Sequence, residues 1–98
     1  MRKILIIGTG GIGSFLVQFL DKVEMYNITV ADPDSVETKN LTYQNFKKSH
    51  VGQNKASVMM DSYKSVEHFS KYPVLTERQM TGYDLVICCV DNLGVRRT

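Results

Sequence analysis

Four glycines lie close together near the start of the chain, in the run Gly8-Thr9-Gly10-Gly11-Ile12-Gly13. The run follows the aliphatic residues 4–7 and precedes a segment with helical periodicity. A strand, a tight glycine turn and a helix start can bind a phosphate, because the backbone approaches the anion and free helical N–H groups face it. We therefore predict a nucleotide-binding turn, with a plain strand-to-helix turn as the alternative. Its residues are Gly8, Gly10, Gly11 and Gly13, the last allowing the helix to pack closely on the strand.

Asp32 follows a β-branched segment, residues 28–31, at the end of the second predicted strand. In dinucleotide-binding sites an acidic residue roughly 20 positions beyond the glycine turn accepts hydrogen bonds from ribose hydroxyls. The pair Asp32-Pro33 also favours a turn, so a turn or helix-capping aspartate is the alternative. Because Asp32 occurs together with the glycine turn, ribose binding is the favoured interpretation.

Strands and helices alternate in the predicted order of elements, and they position the glycine turn and Asp32. Strands are predicted at residues 3–7, 28–31, 73–76 and 85–90, and helices at residues 11–22 and 52–69. Residues 35–46 are predicted to be irregular, with a turn of helix inside them. The predicted buried face of the first helix comprises Ile12, Phe15, Leu16, Phe19, Leu20 and Val23. The predicted buried face of the second helix comprises Ala56, Met59, Met60, Tyr63 and Val66.

This alternation is typical of a parallel sheet with right-handed crossovers. We predict an α/β fold, a Rossmann-like doubly wound parallel sheet of about four strands in the order 3-2-1-4. Such a sheet is half of a full nucleotide-binding domain, and the last strand has no neighbour to cover its outer edge. Because a long apolar edge promotes aggregation, we expect a fragment of a larger domain or a chain that completes its sheet as a homo-oligomer.

Size and charge narrow the class of protein. The 98 residues form one domain at most, and 43% of them are hydrophobic. The net charge of +2 favours neither nucleic acid nor an anionic membrane as a partner. No apolar run approaches the roughly 20 residues that a membrane span needs. Cys88 and Cys89 are adjacent within a predicted strand, so we interpret them as small apolar residues of a cytoplasmic protein.

Five blocks in order along the chain resemble the ThiF/MoeB/ubiquitin-activating-enzyme superfamily. They are Gly8-Thr9-Gly10-Gly11-Ile12-Gly13-Ser14, Asp32-Pro33-Asp34-Ser35-Val36-Glu37, Asn40-Leu41-Thr42-Tyr43-Gln44, Val51-Gly52-Gln53-Asn54-Lys55-Ala56, and Cys89-Val90-Asp91-Asn92 with Arg96. The resemblance implies a ThiF-like nucleotide-binding domain over residues 1–98. It also implies an activity: ATP and Mg²⁺ are used to adenylate the C-terminal carboxylate of a ubiquitin-like or sulfur-carrier protein that ends in Gly-Gly.

The resemblance further implies roles for individual residues. The glycine turn would hold the phosphates, and Asp32 would hold the ribose. Asn40 and Lys55 match positions that contact the nucleotide phosphates, and Asp91 matches the position that holds Mg²⁺. Lys55 and Asp91 are thus the implied catalytic residues. Plain structural alternatives are a turn residue for Asn40, a solvated helix lysine for Lys55 and a helix N-cap for Asp91.

Tyr43 departs from the superfamily pattern, which usually has an arginine at this position. A tyrosine cannot replace a fixed positive charge beside phosphates. The favoured function is an ATP-binding adenylyltransferase domain. One alternative is the NAD-binding half-domain of an oxidoreductase, which would use Asp32 but would not require Asn40, Lys55 or Asp91. The other is a non-catalytic scaffold subunit, which Tyr43 favours.

Overall fold

A four-stranded parallel sheet forms the centre of the computed structural model, which describes residues 1–90. The elements are β1 (Arg2–Ile7), α1 (Gly11–Val23), β2 (Tyr26–Ala31), α2 (Lys55–Ser62), β3 (Val66–Ser70) and β4 (Leu85–Cys88). Short 3-10 turns lie at Thr38–Thr42, Lys48–His50 and Glu77–Met80. The strand order is β3-β2-β1-β4, so the predicted α/β class and strand order are confirmed.

The first strand pairs with β2 along one edge and with β4 along the other, and its residues 4–7 are covered on both faces. Ile4 and Ile6 pack in one core cluster with residues of α1 and α2, whereas Leu5 and Ile7 pack on the opposite face with residues of the segment 74–83. A strand that is covered on both faces needs apolar residues at every position, which explains the continuous aliphatic run. The parallel pairing brings the carboxyl ends of β1 and β2 to the same edge of the sheet.

The second helix is much shorter than predicted. It begins after Asn54, whose side chain caps it by accepting a hydrogen bond from the N–H of Ser57 at 2.9 Å. It ends before Tyr63, whose backbone is extended, with φ −132° and ψ 120°. The prediction over residues 52–69 was wrong because the apolar spacing beyond Ser62 fits a helix as well as a short strand.

The third strand is also not where the sequence placed it. Val66–Ser70 forms β3, with Val66 paired to Ile28 of β2. The predicted strand at residues 73–76 is irregular instead, and Pro73 lacks the N–H that a paired strand would donate. Met60, predicted to be in the buried face of the second helix, is 38% exposed.

The first helix buries only part of its predicted face, with Leu20 buried and Leu16 packed against the core. Its buried residues are Gly13, Ser14, Val17 and Leu20. The larger apolar residues of the predicted face are exposed, and they are Ile12, Phe15, Phe19 and Val23. The reason is local, because a Cβ at Gly13 would overlap the carbonyl oxygen of Gly8. Small side chains must therefore face the glycine turn, and this sets the rotation of the helix.

The fourth strand pairs with β1 and is the last strand of the sheet within residues 1–90. It ends at Cys88 rather than at residue 90, and Leu85 is 52% exposed. The position of β4 at the edge of the sheet agrees with the predicted strand order, whereas the predicted strand over residues 85–90 is two residues too long.

None of the helices within residues 1–90 combines the length and the apolar sequence that a membrane span requires.

Candidate functional site

A cleft of about 620 Å³ opens at the carboxyl ends of β1, β2 and β4. The residues that line it include Gly8, Gly10, Asp32, Asn40 and Lys55. Most of the predicted site residues are thus brought together from four separate parts of the chain. Ligands of open α/β sheets bind at this edge, outside the ends of the strands.

The glycine turn combines a positive backbone torsion with close packing. Gly8 has φ +92°, and a Cβ there would lie 3.0 Å from the backbone N of Val90 and 3.1 Å from the carbonyl carbon of Cys89. Gly10 is the N-cap of α1 and, being a glycine, has no side chain that could accept a hydrogen bond from the first N–H groups of the helix. The first N–H groups of a helix have no partner within the helix, so this end of α1 can receive an anion.

The remaining two glycines of the motif lie differently. Gly13 is buried against Gly8 and acts in packing, as the sequence predicted. Gly11 is the first residue of α1, and its nearest neighbour outside the helix is the ring of Tyr43. Neither glycine lines the cleft.

Asp32 is 5% exposed and connects the end of β2 to the glycine turn. Its Oδ2 accepts hydrogen bonds from the N–H of Thr9 at 2.7 Å and from the hydroxyl of Thr9 at 3.0 Å. Its Oδ1 accepts one from the N–H of Asp34 at 2.9 Å. A carboxylate oxygen can accept more than one hydrogen bond, so Oδ1 retains capacity for a ligand hydroxyl.

Asn40 is 3% exposed within the 3-10 turn Thr38–Thr42. Its Oδ1 accepts a hydrogen bond from the N–H of Glu37 at 2.8 Å. The alternative role as a turn residue therefore accounts for the amide oxygen. Its Nδ2 makes only a long contact of 3.5 Å to the hydroxyl of Tyr43. The amide nitrogen is thus the part of Asn40 that can serve a ligand.

Lys55 is the first residue of α2 and is 7% exposed, which excludes the alternative of a solvated helix lysine. Asn54 holds this helix start beside Asp32, because its Nδ2 donates to the carbonyl oxygen of Asp32 at 2.8 Å. Among residues 1–90 the ammonium of Lys55 has no hydrogen bond and no ion pair. Buried cations are normally paired, so this lysine favours an anion in the cleft.

Asp91, the predicted magnesium ligand, lies outside the described residues. Within the described range, no group of three or more His, Cys, Asp or Glu residues is placed to hold a metal ion.

Cys88 and Cys89 both line the cleft. Burial, followed by the neighbouring Cys88, raises the pKa of the Cys89 thiol.

Sequence reasoning missed two parts of the cleft. One is an apolar wall from the irregular segment after β3, formed by Pro73, Val74 and Leu75 together with Met80. No motif marks this wall, since it is assembled by the path of the chain. The other is Gln44, which is 7% exposed and lines the cleft beside Gly10.

The sheet order, the glycine turn and the cleft at the strand ends define a Rossmann-like α/β domain. The chain belongs to the ThiF family, whose pattern it matches over residues 1–98.

Relatives and solved structures agree with this assignment. The chain is 35% identical over 103 residues to adenylyltransferase and sulfurtransferase UBA4 of Lodderomyces elongisporus, covering 96% of this chain and 23% of the relative. It is 32% identical to molybdopterin-synthase adenylyltransferase of Escherichia coli, covering 96% of this chain and 41% of the relative. Its fold resembles that of E. coli tRNA N6-threonylcarbamoyladenosine dehydratase, TcdA, in complex with ATP. The TM-score is 0.83 at 26% identity, over 93% of this chain and 42% of that one.

Proposed function

We propose that this chain supplies the ATP-binding part of an adenylyltransferase that activates the C-terminal carboxylate of a ubiquitin-like or sulfur-carrier protein. The observation that carries the proposal is Lys55, a buried ammonium without a partner among residues 1–90 that shares a cleft with a glycine turn. The named relatives are adenylyltransferases. Because the chain spans less than half of their length, the carrier substrate, the partner and catalytic competence are all part of the proposal.

In the proposed reaction, a carboxylate oxygen of the carrier attacks the α-phosphorus of ATP. The bond between this phosphorus and the bridging oxygen breaks, and pyrophosphate leaves with the bonding electron pair. The products are an acyl adenylate and pyrophosphate. Such a reaction demands orientation and stabilisation of phosphate charge rather than a covalent role for the protein.

The described residues fit these demands. The ammonium of Lys55 and the N-terminus of α1 would stabilise the phosphate oxygens. The free capacity on Oδ1 of Asp32 would accept a ribose hydroxyl. The wall around Val74 and Leu75 would cover the apolar faces of the base. We further propose that Asp91 binds Mg²⁺, a hard cation that prefers carboxylate oxygens and would offset phosphate charge when bound.

Titration calorimetry with ATP and with NAD tests the binding step. We expect tighter binding of ATP, and we expect Lys55→Met to weaken it, because a methionine fills the same space without the charge. Lys64→Met, an exposed change, is the matched control. Tighter binding of NAD than of ATP would favour the oxidoreductase alternative. We expect these 98 residues alone to bind ATP without releasing pyrophosphate, because Tyr43 replaces the superfamily arginine and the chain spans less than half of the relatives. Pyrophosphate release with carriers that end in Gly-Gly tests this expectation, and robust turnover by the 98 residues would contradict it.

A further inference from the structure

The side chain of Gln44 is a buried amide that makes no hydrogen bond within the described residues. It is 7% exposed, and its Oε1 is fully buried with no hydrogen-bond partner anywhere in the part of the chain that the structure describes. Only its backbone groups are bonded, with the N–H donating to the carbonyl oxygen of Asn40 at 2.8 Å and the carbonyl oxygen accepting from the N–H of Phe46 at 2.9 Å. An unsatisfied buried polar group destabilises a fold, so such an amide calls for an explanation.

The amide lies where the phosphates of a nucleotide would approach. A Cβ placed on Gly10, the N-cap of α1, would be 3.5 Å from Nε2 and 3.8 Å from Oε1 of Gln44. Both ends of the amide therefore sit beside the open N-terminus of α1, and the residue lines the same cleft as Lys55. Of the cleft's polar groups, the carboxylate of Asp32 and the Oδ1 of Asn40 already accept hydrogen bonds from protein N–H groups.

We propose that Gln44 is a direct ligand of the nucleotide phosphates, an inference that rests on the proposed ATP site. Its Nε2 donates to a phosphate oxygen held at the N-terminus of α1, while the buried Oε1 stays without a partner. A neutral amide supplies this bond without adding charge to the cleft. The protein thus tolerates the cost of a buried Oε1 in the free state, and nucleotide binding uses the Nε2 of the same amide.

This role predicts opposite effects of one substitution on stability and on affinity. Gln44→Met has nearly the same shape but no polar atoms, so in the full chain we expect a higher melting temperature without nucleotide. We expect the same variant to weaken ATP binding by about tenfold or more, since a hydrogen bond to a charged group is lost. Binding of adenosine, which has no phosphate, is expected to stay unchanged. A residue with a merely structural role would not raise stability and lower affinity together.

Two more variants sharpen the test. Gln18→Met on α1, which does not line the cleft, is the matched control and should change neither quantity. Gln44→Glu should weaken ATP binding more than Gln44→Met does, because a carboxylate repels phosphate.

The outcomes separate this inference from the proposed function. If the unaltered protein binds ATP and Gln44→Met binds it equally well, the role of Gln44 is wrong and the ATP site stands. A lower melting temperature of Gln44→Met would also overturn it, because the amide would then be satisfied in the free protein. If the unaltered protein binds no ATP, both proposals fail.

Discussion

The carboxylate of Asp32 accepts both the backbone N–H and the hydroxyl of Thr9, at 2.7 and 3.0 Å, although the two residues are 23 positions apart. This contact fastens the glycine turn after β1 to the end of β2. It also means that Asp32 has a structural task besides any contact with a ribose. A change at Asp32 is therefore expected to affect the fold and the site together.

The substitution Asp32→Asn tests this double role. Both carboxylate oxygens face backbone N–H groups, those of Thr9 and Asp34. Whichever way an amide is turned, its NH₂ group meets another donor. We expect a loss of about 1–3 kcal/mol in the free energy of unfolding, measured by urea denaturation, together with weaker ATP binding. Asp61→Asn, at an exposed position of α2, is the control, and equal stability of both variants would contradict the proposed tie.

The glycines of the turn are expected to differ in their tolerance of alanine. A Cβ at Gly13 would overlap the carbonyl oxygen of Gly8, which is backbone and cannot swing aside. We expect Gly13→Ala to destabilise the protein by more than about 1–3 kcal/mol, the usual range for overpacking. Gly11→Ala is the matched control, because its Cβ would lie 3.8 Å from the Tyr43 ring. Thermal unfolding of the two variants would show the difference, and equal melting temperatures would contradict it.

The glycine turn could be predicted from the sequence because it follows from a local pattern, and the strand order because alternating strands and helices favour a doubly wound sheet. The aliphatic run of β1, the glycines after it and the acid after β2 each occupy a short stretch of chain. The end of α2 and the position of β3 could not be predicted in this way. Val66 fits the spacing of a helix and the pairing of a strand equally well, and only its partner Ile28 on β2 decides between them.

The roles of the site residues stay predictions, but the sequence did single out residues that the fold places at one cleft. Lys55 was singled out through the resemblance to the superfamily, and its burial gives a physical reason for an anion in the cleft. The free amide of Gln44 was not foreseen, because whether a glutamine is satisfied depends on every neighbour around it. The exposed face of α1 was also missed, since the contact between Gly13 and Gly8, rather than the apolar residues, sets the rotation of that helix.

The two adjacent cysteines are expected to react at different rates. Cys88 is exposed, whereas Cys89 is partly buried and its thiol pKa is raised by burial and then by Cys88. Iodoacetamide should therefore modify Cys89 more slowly at neutral pH, as measured by mass spectrometry, because the thiolate is the reactive form. ATP should protect both residues, since both line the cleft. Faster labelling of Cys89 would contradict this order.

The raised pKa of the Cys89 thiol determines the direction in which the stability of the fold changes with pH. The Cys89 thiol keeps its proton to a higher pH in the folded chain than in the unfolded chain. Its contribution is therefore fully present below the unfolded pKa and is lost as the pH rises through the folded pKa. We expect Cys89→Ala to reduce the loss of stability at alkaline pH, with Cys88→Ala as the comparison. Urea midpoints across neutral and alkaline pH would measure it, and identical slopes for the two variants would argue against it.

We expect the isolated 98-residue chain to self-associate through the outer edge of β4, which has no strand beside it within residues 1–90. A charge at an edge position discourages strand addition. We expect Leu85→Lys, at a residue that is 52% exposed, to reduce association without a large loss of stability. Met25→Lys, at a residue that is 62% exposed and away from this edge, is the control. Light scattering over a range of concentrations is the measurement, and a monomer throughout would contradict the prediction.

Tyr43 gives a last test, because it stands at the mouth of the cleft where the superfamily usually has an arginine. It is 55% exposed, its ring faces Gly11, and its hydroxyl lies 3.5 Å from Nδ2 of Asn40. An arginine here would add a fixed cation to a cleft in which Lys55 is the buried one. We expect Tyr43→Arg to raise the affinity for ATP more than the affinity for AMP, because ATP carries more phosphate charge.

The gain from Tyr43→Arg should shrink as the salt concentration rises, since exposed charges are screened. Tyr43→Phe separates charge from the loss of the hydroxyl, and it should leave the ratio of ATP to AMP affinities unchanged. Calorimetric titrations of the three proteins at low and high salt would measure both effects. An equal gain for ATP and AMP, or a gain that salt does not reduce, would mean that the side chain at position 43 does not face the phosphates.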